Sequence, residues 1–240
     1  MPLHPHLPPH RPLAIAHRAG NDLAFARRAF TLGCDMVETD IWRYRRRLEL
    51  RHLKTMGPIP LLWDRWTLRP GWTTRLELRH LLDATSPEHL LLLDLKGKDP
   101  HLARAIVEDI RDSQPDRRIV LCGRTWPQLD EVADDPEVTV FYSVGSDQEL
   151  AAVWTRLDRM AHPAVSIHSR YVTADLMRRF RQIGTTVVTW AVDTYEHARA
   201  LWELGVDGFT SDNLDMLAHI AEERDEALRK GPRAAAPPER

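Results

Sequence analysis

Only two cysteines occur in the 240 residues, Cys34 and Cys122. They lie too far apart to form the short-spaced pairs that bind zinc or run thiol redox chemistry. Buried, reduced thiols and a cytoplasmic location are expected. No apolar run approaches the roughly 20 residues that cross a bilayer. The N-terminus lacks the charged start and long apolar stretch of a signal peptide. Nor is there an excess of one charge. The formal net charge is -2, with acids and bases mixed along the chain. That excludes the basic footprint of a nucleic-acid partner and a polybasic membrane anchor. A glycine-rich phosphate loop of the GxGxxG or GxxxxGKS/T type is missing too, which removes the main sign of a doubly wound nucleotide-binding sheet. No internal repeat is visible.

What is present is an alternation. At 43% hydrophobic residues the chain can build one large core, and its length suits a single α/β domain. Short apolar runs lie at 13–17, 35–42, 90–96, 118–123, 138–144, 164–169, 185–192 and 206–212. Each is strand-length, and many are β-branched and bounded by Gly, Asp or Pro, as in buried parallel strands. Amphipathic segments fill most of the gaps. One runs from Asn21 to a C-cap candidate at Gly33, another opens at Ser146 with Glu149 three residues on, as in a capping box. Others run from Thr173 to Gly184, up to Gly205, and from Leu214 to Leu228. Eight strands separated by helices predict a single-domain TIM (β/α)8 barrel over 13–229. The Pro- and His-rich segment 1–12, with His4, His6 and His10, reads as a disordered leader, and 230–240 as a disordered tail. Residues 43–89 break the alternation, with a return strand at 48–53 and an irregular loop. The basic RYRRR stretch at 43–47 reads as a solvated turn.

Charged groups fall at the ends of these strands, where a barrel has its mouth. His17 and Arg18 end the first. Glu38 and Asp40 are two apart on the second and so share a face; Asp94 and Lys96 repeat that spacing on the third. On the return strand His52 shares a face with Leu48 and Leu50. Ionised groups on apolar strands must be paired or bind metal. Three carboxylates against Arg18 and Lys96 leave the empty site net negative. One divalent cation and a phosphodiester monoanion together bring it to neutrality. Oxygen-only ligands favour Mg2+ or Ca2+ over zinc. Two histidines remain to move protons near neutral pH. Trp190, at the end of the seventh apolar run, reads by itself as core packing.

In their order these motifs resemble the glycerophosphodiester phosphodiesterases. The family pattern of HRG, ExD, a following histidine, ExK and GxDG…TD is matched by HRAG at 17–20, ETD at 38–40, His52, LDLKG at 93–97 and GVDGFTSDN at 205–213. The resemblance spans about 13–220. It implies a TIM barrel that hydrolyses a glycerophosphodiester to glycerol phosphate and an alcohol. It implies His17 and His52 as the acid–base pair and Glu38, Asp40 and Asp94 as ligands of one divalent cation. Arg18 and Lys96 become phosphate contacts, and Trp190 a wall of the substrate pocket.

Three positions depart from the pattern. The ENT-like loop after the first strand is reduced to Asn21, the His-Asp pair is His52-Leu53, and the third ligand is Asp94 in place of Glu. Asp there is similar to the related sphingomyelinase D toxins. One rival reading is therefore phospholipase D-type cleavage of lysophospholipid or sphingolipid headgroups. For that, Trp63, Trp66 and Trp72 would offer an apolar platform for peripheral contact with lipid, the alternative being that they cover the barrel's side or bottom. A second rival is a catalytically weak phosphate-binding barrel.

Overall fold

The computed structural model describes residues 5–55, 61–64, 67–70 and 75–230. Eight strands form a closed parallel barrel: β1 (Leu13–Ala16), β2 (Met36–Tyr44), β3 (Leu90–Leu95), β4 (Ile119–Gly123), β5 (Val138–Val144), β6 (Ala164–His168), β7 (Thr186–Trp190) and β8 (Gly208–Ser211). Each pairs with its neighbour in the chain, and β8 returns to β1, which also pairs with β2 and closes the ring. All eight coincide with the apolar runs of the sequence, because strands buried on both faces need continuous apolar stretches. Around them lie α1 (Leu23–Thr31), α2 (Leu78–Ala84), α3 (Leu102–Ser113), α4 (Trp126–Asp130), α5 (Asp147–Ala152), α6 (Trp154–Leu157), α7 (Ala174–Gln182), α8 (Tyr195–Glu203) and α9 (Leu214–Lys230). Asp22, Ser146, Thr173 and Thr194 cap α1, α5, α7 and α8 through their side-chain oxygens. The capping box expected at α5 is half made. Ser146 accepts from the Glu149 N–H, but the Glu149 carboxylate takes the N–H of Gly145 instead.

Two buried clusters divide the strand residues. Leu13, Ile15, Met36, Leu90, Leu92, Val120, Cys122, Phe141, Ala164 and Val188 fill the barrel interior. Their alternates, such as Ala14, Val37, Leu91, Leu121, Val165 and Phe209, pack against the helices. This inside–outside alternation is the period of two of a strand. Both cysteines are buried and unbonded.

Residues 5–12 correct the expectation of a disordered leader. Leu7 is 5% exposed and belongs to the interior cluster, so it seals the N-terminal end of the barrel. His10 bonds Asp35 at 2.6 Å, and Arg11 pairs with Asp207 at 3.4 Å. Asp35 in turn accepts the Ala14 N–H and pairs with Arg224 of α9. An apolar interior needs its lower opening covered from water, and the apolar Leu7 supplies that cover. Residues 1–4 and 231–240 lie outside the described residues.

The excursion after β2 is also more regular than expected. β2 continues past the mouth to Tyr44, turns at Arg45 (φ 58°), and returns antiparallel as Arg47–Leu50. The expected loop contains a three-stranded antiparallel sheet of Lys54–Thr55, Leu61–Asp64 and Thr67–Pro70. Across it Lys54, Trp63 and Leu68 stand opposite one another, and all three are exposed, while Leu62 is buried. Trp66 and Trp72 lie outside the described residues.

Candidate active site

Continuing each strand's inward alternation past its last interior residue reaches a polar side chain at the mouth. Beyond Leu13 and Ile15 comes His17. Beyond Met36 come Glu38 and Asp40. Beyond Leu90 and Leu92 come Asp94 and Lys96, and beyond Val188 comes Trp190. The same register that packs the interior therefore aims the charges into one opening.

After β1 the chain bends sharply. Arg18 adopts a left-handed conformation (φ 53°), and its N–H donates to Glu38 Oε2 at 2.6 Å. The turn that follows lies tight on β2. A Cβ at Gly20 would be 2.6 Å from the Thr39 side chain, so only glycine allows this approach. The approach places Asn21 against the second carboxylate. Its Oδ1 accepts from Thr39 Oγ1 and the Asp40 N–H, and its Nδ2 donates to Asp40 Oδ2 at 2.9 Å. The residue left over from the shortened loop thus orients Asp40.

Glu38 and Asp40 are buried and Asp94 is partly so. One oxygen from each lies within 4.8 Å of the others. Lys96 Nζ is 3.0 Å from Asp40 Oδ1 and pairs with Asp94. Burial and the neighbouring carboxylates raise Glu38 well above the ordinary carboxylate range. Burial also raises Asp94 despite Lys96. Burial opposes the charge on Lys96, but Asp94, Asp40 and Glu38 outweigh it and hold its pKa above the usual value. One ammonium among three carboxylates leaves excess negative charge in a poorly solvated place. An all-oxygen donor set of this kind fits a divalent Mg2+ or Ca2+ ion.

The two histidines sit on the rim of this cluster. His17 Nδ1 is 2.9 Å from Asp212 Oδ1, and its Nε2 is 3.9 Å from Glu38 Oε2. Burial lowers the His17 pKa, and Asp212 works against that shift. The carboxylate fixes the tautomer with the proton on Nδ1, which leaves Nε2 as an acceptor. His52 follows the return strand, where the Arg51 N–H bonds the Asp40 carbonyl. Arg18 Nη2 lies 2.7 Å from His52 Nε2, while Arg18 Nε is 3.8 Å from Asp40 Oδ2. Seven of the eight residues singled out in the sequence thus form one connected network. Trp190 lies elsewhere around the mouth, its ring 4.3 Å from that of His168.

Asp212 had no role assigned from sequence. It lies within the GVDGFTSDN motif, but its partner is 195 residues away. Asp207 of the same motif faces the opposite end of the barrel, where it accepts the Val187 N–H.

The model of the glycerophosphoryl diester phosphodiesterase family matches residues 96–216. That span holds Lys96, Trp190 and Asp212, and starts after His17, Glu38, Asp40, His52 and Asp94. No curated protein matches the sequence. Among solved structures, the chain resembles an Oleispira antarctica phosphodiesterase in complex with the product sn-glycerol-3-phosphate. The identity is 19% and the TM-score 0.72, over 88% of this chain and 97% of that one. A glycerophosphodiester phosphodiesterase from Thermotoga maritima gives 15% identity and a TM-score of 0.67 over 88% and 99%. One from Parabacteroides distasonis gives 17% and 0.66 over 90% and 99%. At these identities the structures establish the barrel, while the family model covers half of the chain. The chain belongs to the glycerophosphoryl diester phosphodiesterase family and is a phosphoric diester hydrolase.

Proposed function

We propose that the protein hydrolyses a glycerophosphodiester to glycerol phosphate and an alcohol, in a reaction that needs one divalent cation and two histidines. The observation that carries this is the cluster of Glu38, Asp40 and Asp94 oxygens within 4.8 Å, rimmed by His17 and His52 in a barrel of this family. The product bound by the Oleispira antarctica phosphodiesterase supports the glycerol phosphate side of the reaction.

Glu38, Asp40 and Asp94 would hold the cation, Mg2+ or Ca2+, which supplies Lewis-acid polarisation of the phosphoryl group and a template for it. Asn21 donates to Asp40 Oδ2 at 2.9 Å and would hold that carboxylate in place for the cation. Lys96 offers a point charge to one phosphate oxygen. Arg18, which reaches His52 in the structure, offers a planar fork that can grip two. His17 Nε2 takes the proton of the attacking hydroxyl, while Asp212 stabilises the imidazolium. The attacker is water, which gives glycerol phosphate directly, or the neighbouring hydroxyl of the glycerol moiety, which gives a cyclic phosphate first that water then opens to glycerol phosphate. His52 gives a proton to the departing alcohol oxygen. A cytoplasmic location belongs to this reading, supported by the two unbonded cysteines. Among the described residues, no helix is long and apolar enough to cross a membrane.

The exposed row of Lys54, Trp63 and Leu68 favours a second reading, in which the substrate is a lysophospholipid or sphingolipid cleaved at its headgroup. Trp63 is 40% and Leu68 61% exposed, and Lys54 comes two residues after His52.

The test is turnover of glycerophosphocholine and of a lysolipid with Mg2+, Ca2+ or EDTA. Chelation should abolish activity. Asp94→Asn should raise the metal concentration for half activity, with partial rescue by added metal. Asp94→Glu, longer by about 1 Å, should lower the rate by around 10²-fold without that shift. Full activity after chelation would end the metal assignment.

A further inference from the structure

Outside the carboxylate cluster, the other half of the mouth is built around a glycine. The inward alternation of β4 runs Val120, Cys122, Arg124; that of β5 runs Phe141, Ser143, Gly145; that of β6 ends on His168. These positions join Trp190 in the opening. Arg124 Nε and Nη2 each donate to Glu149 at 2.9 Å, a two-pronged pairing that fixes the plane of the guanidinium. Glu149 is itself anchored by the Gly145 N–H at 2.8 Å. Arg170 Nη2 donates to the Gly145 carbonyl at 2.8 Å. A Cβ at Gly145 would lie 3.1 Å from Trp190 Cζ2 and 3.3 Å from Arg124 Cζ. The indole edge and the guanidinium therefore flank the same bare stretch of backbone. The strand that leads into Arg124 pairs with β3, Asp94 standing opposite Cys122, so this wall adjoins the carboxylate cluster.

We propose that Arg124, set by Glu149 over Gly145 and beside Trp190, determines specificity by receiving the alcohol group of the substrate and preferring a hydroxyl-rich polyol to a quaternary ammonium. The inference rests on the phosphodiesterase reading above. Its chemistry follows from the donors. Among the described residues Arg124 Nη1 donates to no protein group. His168 Nδ1 accepts the Arg170 N–H at 3.2 Å, so the neutral ring carries its proton on Nε2, a further donor. Arg170 and Glu149 bond Gly145 directly and Arg124 is held beside it through Glu149, so two guanidinium groups face one carboxylate there. Trp190 alone would welcome a quaternary ammonium through its ring face. Beside two guanidinium groups that cation meets like charge, which is how a site rejects a competitor as well as selecting its ligand. A polyol meets donors and an aromatic wall.

The experiment compares kcat/KM for glycerophosphoglycerol, glycerophosphocholine and bis(4-nitrophenyl) phosphate with saturating Mg2+. The wild-type protein should favour glycerophosphoglycerol over glycerophosphocholine by about tenfold, the scale of one charge-assisted hydrogen bond. Arg124→Gln should bring that ratio close to one by raising KM for the polyol substrate, and Arg124→Lys should restore part of it. Gly145→Ala, which places a methyl against both Trp190 and Arg124, should raise KM for the two glycerol substrates more than for bis(4-nitrophenyl) phosphate. It also serves if Arg124→Gln does not fold. A wild-type preference for choline, or an Arg124→Gln variant that weakens all three substrates equally, would overturn the inference and leave the phosphodiesterase reading standing. Failure of the wild-type protein to cleave any of the three would overturn that reading, and this inference with it.

Discussion

The two ends of the barrel handle charge in opposite ways. At the N-terminal end, Asp35 is matched by Arg224 and His10, and Asp207 by Arg11. Arg224 is 3% exposed and also bonds the Pro12 carbonyl. Each acid there has its own base, and the pairs tie residues 5–12 and α9 to the barrel. At the mouth three carboxylates face two cations: Asp40 and Asp94 share Lys96, Arg18 Nε lies 3.8 Å from Asp40, and Glu38 takes the Arg18 backbone N–H. Burying unmatched charge costs stability. Where the chain carries such a mismatch on rigid strands, a ligand is the missing partner. The comparison separates charges that hold the fold from charges that wait for a substrate.

Substitutions at the two ends should therefore fail differently. The largest effect is expected for His17→Ala and His52→Ala, which should each lower kcat by roughly 10²–10⁴-fold while thermal unfolding stays near wild type. Near-normal turnover in either variant would make that histidine structural. Asp35→Asn should do the reverse. It removes one of the two carboxylates paired with the buried Arg224 guanidinium, Asp225 remaining at 2.8 Å, at a cost of about 2 kcal/mol for a charged hydrogen bond, read in a denaturant titration. The kcat per folded molecule should not change. If Asp35→Asn unfolds like wild type, the lower pairs are ornamental and the comparison collapses. Asp212→Asn sharpens it most finely, since this residue sits at the mouth, is 69% exposed in its side chain, and among the described residues bonds His17 alone. We expect roughly a tenfold loss in kcat from the weakened orientation of the imidazole and no change in unfolding. A loss in stability instead would move Asp212 to the structural side.

The apolar runs made all eight strands legible, because burial on both faces writes itself locally into a parallel strand. The pairs at 38 and 40 and at 94 and 96 were legible for the same reason, since residues two apart on one strand share a face. Leu7 was hidden in a Pro- and His-rich segment whose composition reads as disorder, since its burial depends on an opening formed by strands from the whole chain. Arg124 was hidden in a different way. RIVLCGR continues an alternation whose inward phase is set only by Val120 and Cys122 joining the interior cluster.

The sequence by itself determined the number of strands, the end of the barrel where charge collects, and the excess of carboxylates there. These depend on side-chain period and composition within a few residues of chain. Only the tertiary structure decided that Asp212 meets His17, that Arg18 reaches His52, that Asn21 braces Asp40, and that Arg124 and Trp190 converge on Gly145. Those contacts join different strands and loops. Closing the sheet fixes the register between strands, and that register decides which of many charged residues become neighbours.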